Sequence, residues 1–322
     1  MDGTLQLPAT SPSDTDALIA DALAGLTQPE KSLSPKWLYD HRGSALFEQI
    51  TTLPEYYPTR TEAGILRDNA AALAALVPQG GALVELGSGA SVKTRTVLDA
   101  GAHFGAYVPI DISRDFLFET SDDLRLRYPT LDILPVVADF TRPVDLPTSL
   151  EQTAKVAFFP GSTIGNLVPE RAQALLAGVR AWTDTRAFIL GVDLVKDTRD
   201  LVAAYDDAQG VTATFITNIL ERLNREAGAD FDLDAFAYRA SWDPDLARID
   251  MHLVSRRAQS VSLGGQVVAF AAGEPIHISA ARKYTADSLA TMAAQAGWSV
   301  ATRFTDGQER FAVAVLTPDP AA

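Results

Sequence analysis

From residue 82 onward the chain alternates short apolar runs with helix-patterned stretches, and this alternation restricts the fold more than any other feature. The runs are "ALVEL" (82–86), "AYVPID" (106–111), "DILPVVAD" (132–139), "KVAFF" (155–159) and "AFILGVD" (187–193). Between most of them lie helical patterns over 92–100, 113–127 and 168–182, the last with Pro169 suited to a helix first turn. Strands that are apolar on both faces must be covered on both, which predicts a parallel α/β sheet of Rossmann-like type. Upstream, helical spacing covers 14–26, 46–53 and 62–77, after a loose Pro/Ser/Thr tail over 1–14. Downstream, a helix is predicted over 198–227. Next comes an antiparallel meander over 235–243, 248–255, 260–265 and 267–279. A helix over 285–296 and strands near 298–305 and 310–316 close the chain. The meander therefore forms a smaller α+β lobe, inserted before the last helix and expected to lie over the strand carboxyl ends.

Composition narrows the function. A net charge of −14 without a Lys/Arg cluster argues against nucleic acid as a partner. The chain has no cysteine, which excludes disulfides, thiolate catalysis and cysteine–zinc sites. No apolar run approaches the roughly 20 residues needed to span a bilayer. The first thirty residues lack the basic and apolar regions of a signal peptide, so a cytoplasmic location is expected. The four histidines (41, 103, 252, 277) are scattered in sequence and fall in no metal-binding spacing, so no metal is expected. Carboxylate pairs such as Asp206-Asp207 read as helix caps or solvated faces.

The first strand opens into Gly87-Ser88-Gly89. A dinucleotide fingerprint needs a third glycine where Val92 stands. A triphosphate loop needs a Gly-Lys-Ser/Thr run that is absent. Beyond the glycines the chain instead places Asp111 at the end of the second run, suited to ribose hydroxyls. Asp139-Phe140 then ends the third, suited to an adenine amino group and ring. Taken in order these describe an adenosine site without a pyrophosphate, as S-adenosylmethionine (SAM) requires, on a methyltransferase-type sheet. Two rivals are a nicotinamide oxidoreductase on the same sheet and a non-catalytic SAM-binding protein.

The segment "SPKWLYDHRGSALFEQITTLPEYYPTRTE" (34–62) is more specific. With "LVELGSGASVKTR", "FFPGSTIGN" (158–166), "GVDLVKD", "AYDDAQGVTATF", "DFDLDAF" and "RIDMHLVS", it resembles the ergothioneine-pathway histidine Nα-methyltransferases along nearly the whole chain. The resemblance implies a class I SAM-dependent methyltransferase that places three methyl groups on the α-amine of histidine, giving hercynine. It implies substrate-lobe helices in 1–60, a SAM-binding core over 61–196, an inserted substrate-binding lobe over 197–284, and a closing segment over 285–322. By position it assigns the cofactor to Gly87, Ser88, Lys93, Asp111, Asp139 and Phe140. Tyr39, Tyr56 and Gly161 are assigned to the meeting point of methyl and amine. Tyr56, Asn166, Tyr205, Met251, Ser279 and Ala281 are assigned to the amino acid, with Asn166 and Tyr205 on its carboxylate. Read without the resemblance, Tyr56-Tyr57 could be packing residues, Asn166 a cap for the helix starting near Pro169, and Tyr205 a core aromatic.

One stretch departs from the family. Where histidine-methylating relatives carry a glutamate and a serine that recognise the imidazole, this chain has Ser279-Ala280-Ala281 in "AGEPIHISAARKY". A hydrogen bond to a charged group is worth about 1.5–3 kcal/mol. The change therefore predicts altered side-chain specificity, toward a bulkier and less polar amino acid such as tryptophan. Arg282, next to this segment, raises an acidic or hydrogen-bond-accepting side chain as the alternative.

Overall fold

The structure is a computed structural model that describes residues 12–319. The tail expected over 1–14 thus lies outside the described residues, save 12–14, which open a helix. The chain divides into two compact units. An accessory unit holds the segment up to Tyr56 together with Asp197–Ala280. A core unit holds Tyr57–Lys196 and the chain from Ala281 onward.

In chain order, helices α1 (Pro12–Leu26) and α2 (His41–Thr52) belong to the accessory unit. The core unit then runs α3 (Tyr57–Asp68), α4 (Ala70–Ala74), β1 (Ala82–Leu86), α5 (Val92–Asp99), β2 (Ala106–Asp111) and α6 (Arg114–Arg127). It continues with β3 (Asp132–Ile133), β4 (Val136–Val137), β5 (Lys155–Phe159), α7 (Pro169–Arg180) and β6 (Thr185–Asp193). The accessory unit resumes with α8 (Thr198–Ala203), α9 (Val211–Ala227), β7 (Phe236–Asp243), β8 (Arg248–Ser255), β9 (Gln259–Leu263), β10 (Gln266–Phe270) and β11 (Pro275–Arg282), whose last two residues fall in the core unit. α10 (Ala286–Gln295), β12 (Trp298–Thr305) and β13 (Phe311–Pro318) complete the core unit.

The core sheet has the order β12-β13-β6-β5-β1-β2-β3, with β4 also on β2. Strands β1, β2, β3, β4, β5 and β6 pair in parallel, whereas β13 is antiparallel to both β6 and β12. The chain runs outward from β1 to β3, then returns to place β5 on the other side of β1. That reversal makes the carboxyl ends of β1 and β5 a topological switch point, where open α/β sheets receive ligands. Side chains on the two faces enter separate apolar layers. Leu83, Tyr107, Val156 and Phe158 pack with Ile65, Leu66 and Val97, while Val84, Leu86, Val108 and Ile110 pack with Leu175, Leu176 and Leu289. Both layers are buried, which is why these strands read as continuous apolar runs.

Several boundaries differ from the sequence reading. The third run is two short strands separated by Pro135, because proline has no N–H for the ladder. Residues 62–77 hold the end of α3 and the short α4, divided at Asn69. The helix expected over 198–227 is broken at 204–210. There Asp207 accepts hydrogen bonds from the Val211 and Thr212 amides at 2.9 and 2.8 Å, and Gly210 adopts φ +71°. Asp207 is thus a buried cap, not a solvated face. The expected meander is two sheets: β9 and β10 form a hairpin closed by Gly264-Gly265, and β7, β8 and β11 form a separate three-stranded sheet.

In the accessory unit, α9 packs against α1 and α2. Asp40 ties α2 to α9. It caps α2 by accepting from the Gly43 amide at 2.7 Å, and it takes Asn218 Nδ2 at 2.9 Å and Arg225 Nη2 at 2.5 Å.

Candidate active site

In the core unit the predicted cofactor residues gather where β1 and β2 end. Gly87 (φ +64°) and Ser88 donate their amides to the Ile110 carbonyl at 2.8 and 3.1 Å, bending the chain away from β1. A β-carbon at Gly87 would stand 3.2 Å from the Phe140 ring, so glycine is needed for this close approach. Gly89 (φ +48°) faces open space. Its amide donates to Asp111 Oδ2 at 3.0 Å, and the Ser113 amide to Asp111 Oδ1 at 2.9 Å. Each oxygen of Asp111 keeps a lone pair for hydroxyl donors.

Contrary to the expectation that they end the third strand, Asp139 and Phe140 lie in the turn after β4. Asp139 Oδ1 accepts from the Thr141 amide at 2.9 Å and hydroxyl at 2.6 Å, which fixes the turn. Phe140 packs edge-on against Phe159, with centroids 5.2 Å apart. The glycine turn, the β2 carboxylate and the ring over Gly87 together fit an adenosine group.

Lys93, in the first turn of α5, pairs with Glu62 Oε2 at 2.5 Å. Glu62 also accepts from the Gly161 amide at 2.8 and 2.9 Å. Gly161 (φ +82°) comes after β5 and begins the loop that ends in a 3-10 turn, Thr163–Asn166. Asn166 does not cap α7. The cap position is Val168, without a side-chain bond, and Asn166 is exposed. Gly165 lets this loop pack on β11, since a β-carbon there would stand 2.6 Å from the Arg282 carbonyl oxygen. At the end of β6, buried Asp193 accepts from Tyr57 (2.9 Å), Lys196 (2.6 Å) and Lys283 (2.7 Å), and its own amide donates to Ser162 Oγ at 2.9 Å. Burial lowers Lys196 to about 8 against the pull of Asp193.

Within the accessory unit, one chain of aromatic contacts joins Tyr39, Tyr56 and Tyr205. Phe47 meets Tyr39 at 5.7 Å and Tyr56 at 6.4 Å, Phe215 meets Tyr39 at 5.5 Å, and Tyr56 meets Tyr205 at 5.9 Å. The sequence reading did not single out Phe47 or Phe215. They stand on α2 and α9 while the tyrosines lie outside those helices, so no single period links them. Tyr39 is 45% exposed, yet desolvation pushes its phenol up to about 12. On either count it is a neutral donor at pH 7. Met251 on β8 and Ser279 on β11 are buried on neighbouring strands, and Ala281 is buried where β11 enters the core unit.

The histidines are not all scattered. His252 and His277 come together on β8 and β11, rings 5.2 Å apart, and His277 Nε2 lies 3.1 Å from Asp250 Oδ1. Burial, then the His277 charge, lowers His252 to about 4. Among the described residues no group of three or more His, Cys, Asp or Glu is placed to hold a metal ion. No described helix is long and apolar enough to cross a membrane.

Glu62, Glu85, Asp193, Lys196 and Lys283 are charged residues near this site to which the sequence reading gave no role. Glu85 stands inside an apolar run, where a buried acid is the anomaly to notice. Desolvation raises it to about 8, opposed by the hydrogen bond that the Tyr107 hydroxyl donates to it.

The sheet order, the switch-point glycines and the β2 carboxylate define a SAM-dependent methyltransferase fold. Comparison with known proteins carries this further. The family described as "Histidine-specific methyltransferase, SAM-dependent" matches residues 18–318. The chain is 44% identical to the histidine N-alpha-methyltransferase of Mycolicibacterium smegmatis, over 88% of its length and 90% of the relative's. It is 44% identical to the enzyme of the same name from Mycobacterium tuberculosis, over 87% and 88%. It is 26% identical to the N-methyltransferase imqF of Aspergillus flavus, over 90% and 82%. The chain belongs to the histidine-specific, SAM-dependent methyltransferases.

Proposed function

We propose that this chain transfers methyl groups from SAM to the α-amine of a free amino acid, and that its side-chain preference departs from the histidine named in its relatives. The departure rests on one observation. Ser279 and Ala281 are 7% and 3% exposed, so a buried hydroxyl and a buried methyl stand where the family resemblance expects a carboxylate and a hydroxyl.

In this reading Gly87, Ser88, Lys93, Asp111, Asp139 and Phe140 hold the cofactor, which supplies an electrophilic methyl on a sulfonium. Tyr39, Tyr56 and Gly161 orient the amine. Asn166 and Tyr205 hold the carboxylate, and Met251, Ser279 and Ala281 bound the side chain. In-line displacement needs a neutral amine and accurate aim; positioning supplies up to roughly 7–11 kcal/mol in ideal systems. Phenols and an amide grip a zwitterion without adding a cation that would repel the sulfonium. The contacts that hold these groups support the assignment. The exposed Asn166 amide sits on a loop seated against Arg282, and the three tyrosines share one aromatic chain.

The purified protein with SAM and each of the twenty amino acids, monitored by mass spectrometry, tests this. The expected outcome is methylation of an amino acid other than histidine at higher kcat/KM. Ser279→Glu with Ala281→Ser should then shift preference toward histidine by about ten- to a hundredfold, the worth of a charged hydrogen bond. Efficient trimethylation of histidine alone would refute the altered preference and leave the methyl transfer standing.

A further inference from the structure

Glu62 has a fully buried side chain, and its one carboxylate meets two groups from different elements. Lys93, 21% exposed on α5, lies 2.5 Å from Oε2, and the Gly161 amide donates to Oε1 and Oε2 at 2.8 and 2.9 Å. The strand behind it is shaped to receive it. Gly191 lies within β6, where glycine weakens a strand. A β-carbon there would collide with Glu62 Oε1 and stand 3.1 Å from the Gly161 amide. A β-carbon on Gly161 would lie 3.5 Å from Lys93 Nζ. The carboxylate, the ammonium and two glycines thus occupy one packed cluster assembled from α3, α5, β6 and the loop after β5.

A buried ion pair is a poor way to stabilise a fold, since apolar side chains of similar volume serve as well or better. In some proteins such a pair is kept because it fixes geometry. We propose that Glu62 is a positioning residue: its carboxylate sets the Lys93 ammonium and the Gly161 peptide in one register, so that the cofactor's charged end and the amine-facing loop are held together. This rests on the assignment of Lys93 and Gly161 under the proposed function. Glu62 also neutralises Lys93. A bare ammonium beside a bound sulfonium would oppose cofactor binding, whereas a lysine paired with a buried carboxylate contributes donors with little net charge.

The test uses the full chain and compares Glu62→Gln, Glu62→Asp and Gly191→Ala. The readouts are SAM and S-adenosylhomocysteine affinities by calorimetry without amino acid, kcat and both KM values with the accepted amino acid, and the thermal midpoint without ligand. Glu62→Gln keeps an acceptor for Gly161 but loses the charge that Lys93 pairs with. It should weaken SAM binding, measured without amino acid, and lower kcat, each by about tenfold or more. Glu62→Asp should recover part of the loss. Gly191→Ala, which keeps the carboxylate and displaces it, should reproduce the kinetic loss, and it decides the matter if Glu62→Gln does not fold. A lowered thermal midpoint with affinity and kcat within about twofold of the unaltered chain would overturn the inference, the predicted loss being tenfold. No uptake of S-adenosylhomocysteine by the unaltered chain would overturn the cofactor assignment itself, and this inference with it.

Discussion

At the scale of single residues, Glu85 illustrates how burial sets chemistry. It lies near the end of β1, 2% exposed, where the Tyr107 hydroxyl donates to its carboxyl group and Ser91 Oγ lies 3.0 Å from that hydroxyl. Desolvation outweighs those hydrogen bonds and raises it from 4.5 to about 8. Between these values the unfolded chain releases the proton and the folded chain keeps it. Stability from this group is therefore complete below about pH 4.5 and falls as pH rises to about 8, with a slope of at most ~1.4 kcal/mol per pH unit. Glu85→Gln removes the titration and keeps a hydrogen-bonding side chain. Its stability relative to the unaltered chain should improve between about pH 5 and about pH 8 in urea unfolding; equal pH slopes for the two proteins would refute the account.

At the scale of elements, Asp40 carries the joint between α2 and α9. Burial alone would raise its carboxyl, but the Gly43 amide, Asn218 and Arg225 together hold it below its usual value. Asp40→Ala removes the α2 cap and leaves Arg225 and Asn218 each short of a partner. The expected loss is about 1–3 kcal/mol, read as a lower denaturation midpoint. Asp40→Asn keeps the cap acceptor and should lose less, and its gap from the unaltered chain should shrink at acid pH as the native carboxylate protonates. Because Tyr39 immediately precedes this cap and packs on Phe47 of α2 and Phe215 of α9, Asp40→Ala should also raise the amino-acid KM.

At the scale of the whole molecule, ligand binding and stability are linked. A ligand that binds only the folded chain stabilises it by about 2.7 kcal/mol at a hundred times its dissociation constant. S-adenosylhomocysteine should therefore raise the thermal midpoint progressively with concentration. NADH, which needs the third glycine absent at Val92, should not. The opposite ranking would point to the nicotinamide alternative. The net charge of −14 does not oppose a zwitterionic ligand, because nearby groups and not the summed charge set the field in a pocket.

The order of strands and helices in the core unit was legible because both sheet faces are buried, and burial writes continuous apolar runs into the chain. The glycine turn and Asp111 were legible because their backbone geometry and strand-end placement demand those residue types. The long segments shared with the family made the assignment of Tyr39, Tyr56, Asn166 and Tyr205 possible residue by residue. The breaks at Pro135 and Asp207–Gly210 are single-residue signals masked by the apolar pattern on either side. Only the tertiary structure decided that Glu62 meets Lys93 and Gly161, that Asp193 gathers two lysines and a tyrosine, and that Phe47 links the tyrosines. Glu62 and Gly161 are 99 positions apart and Tyr57 and Asp193 are 136 apart, and no local periodicity records such pairs. Local pattern reports which face of an element is buried; which distant charge waits there is fixed only when the elements pack.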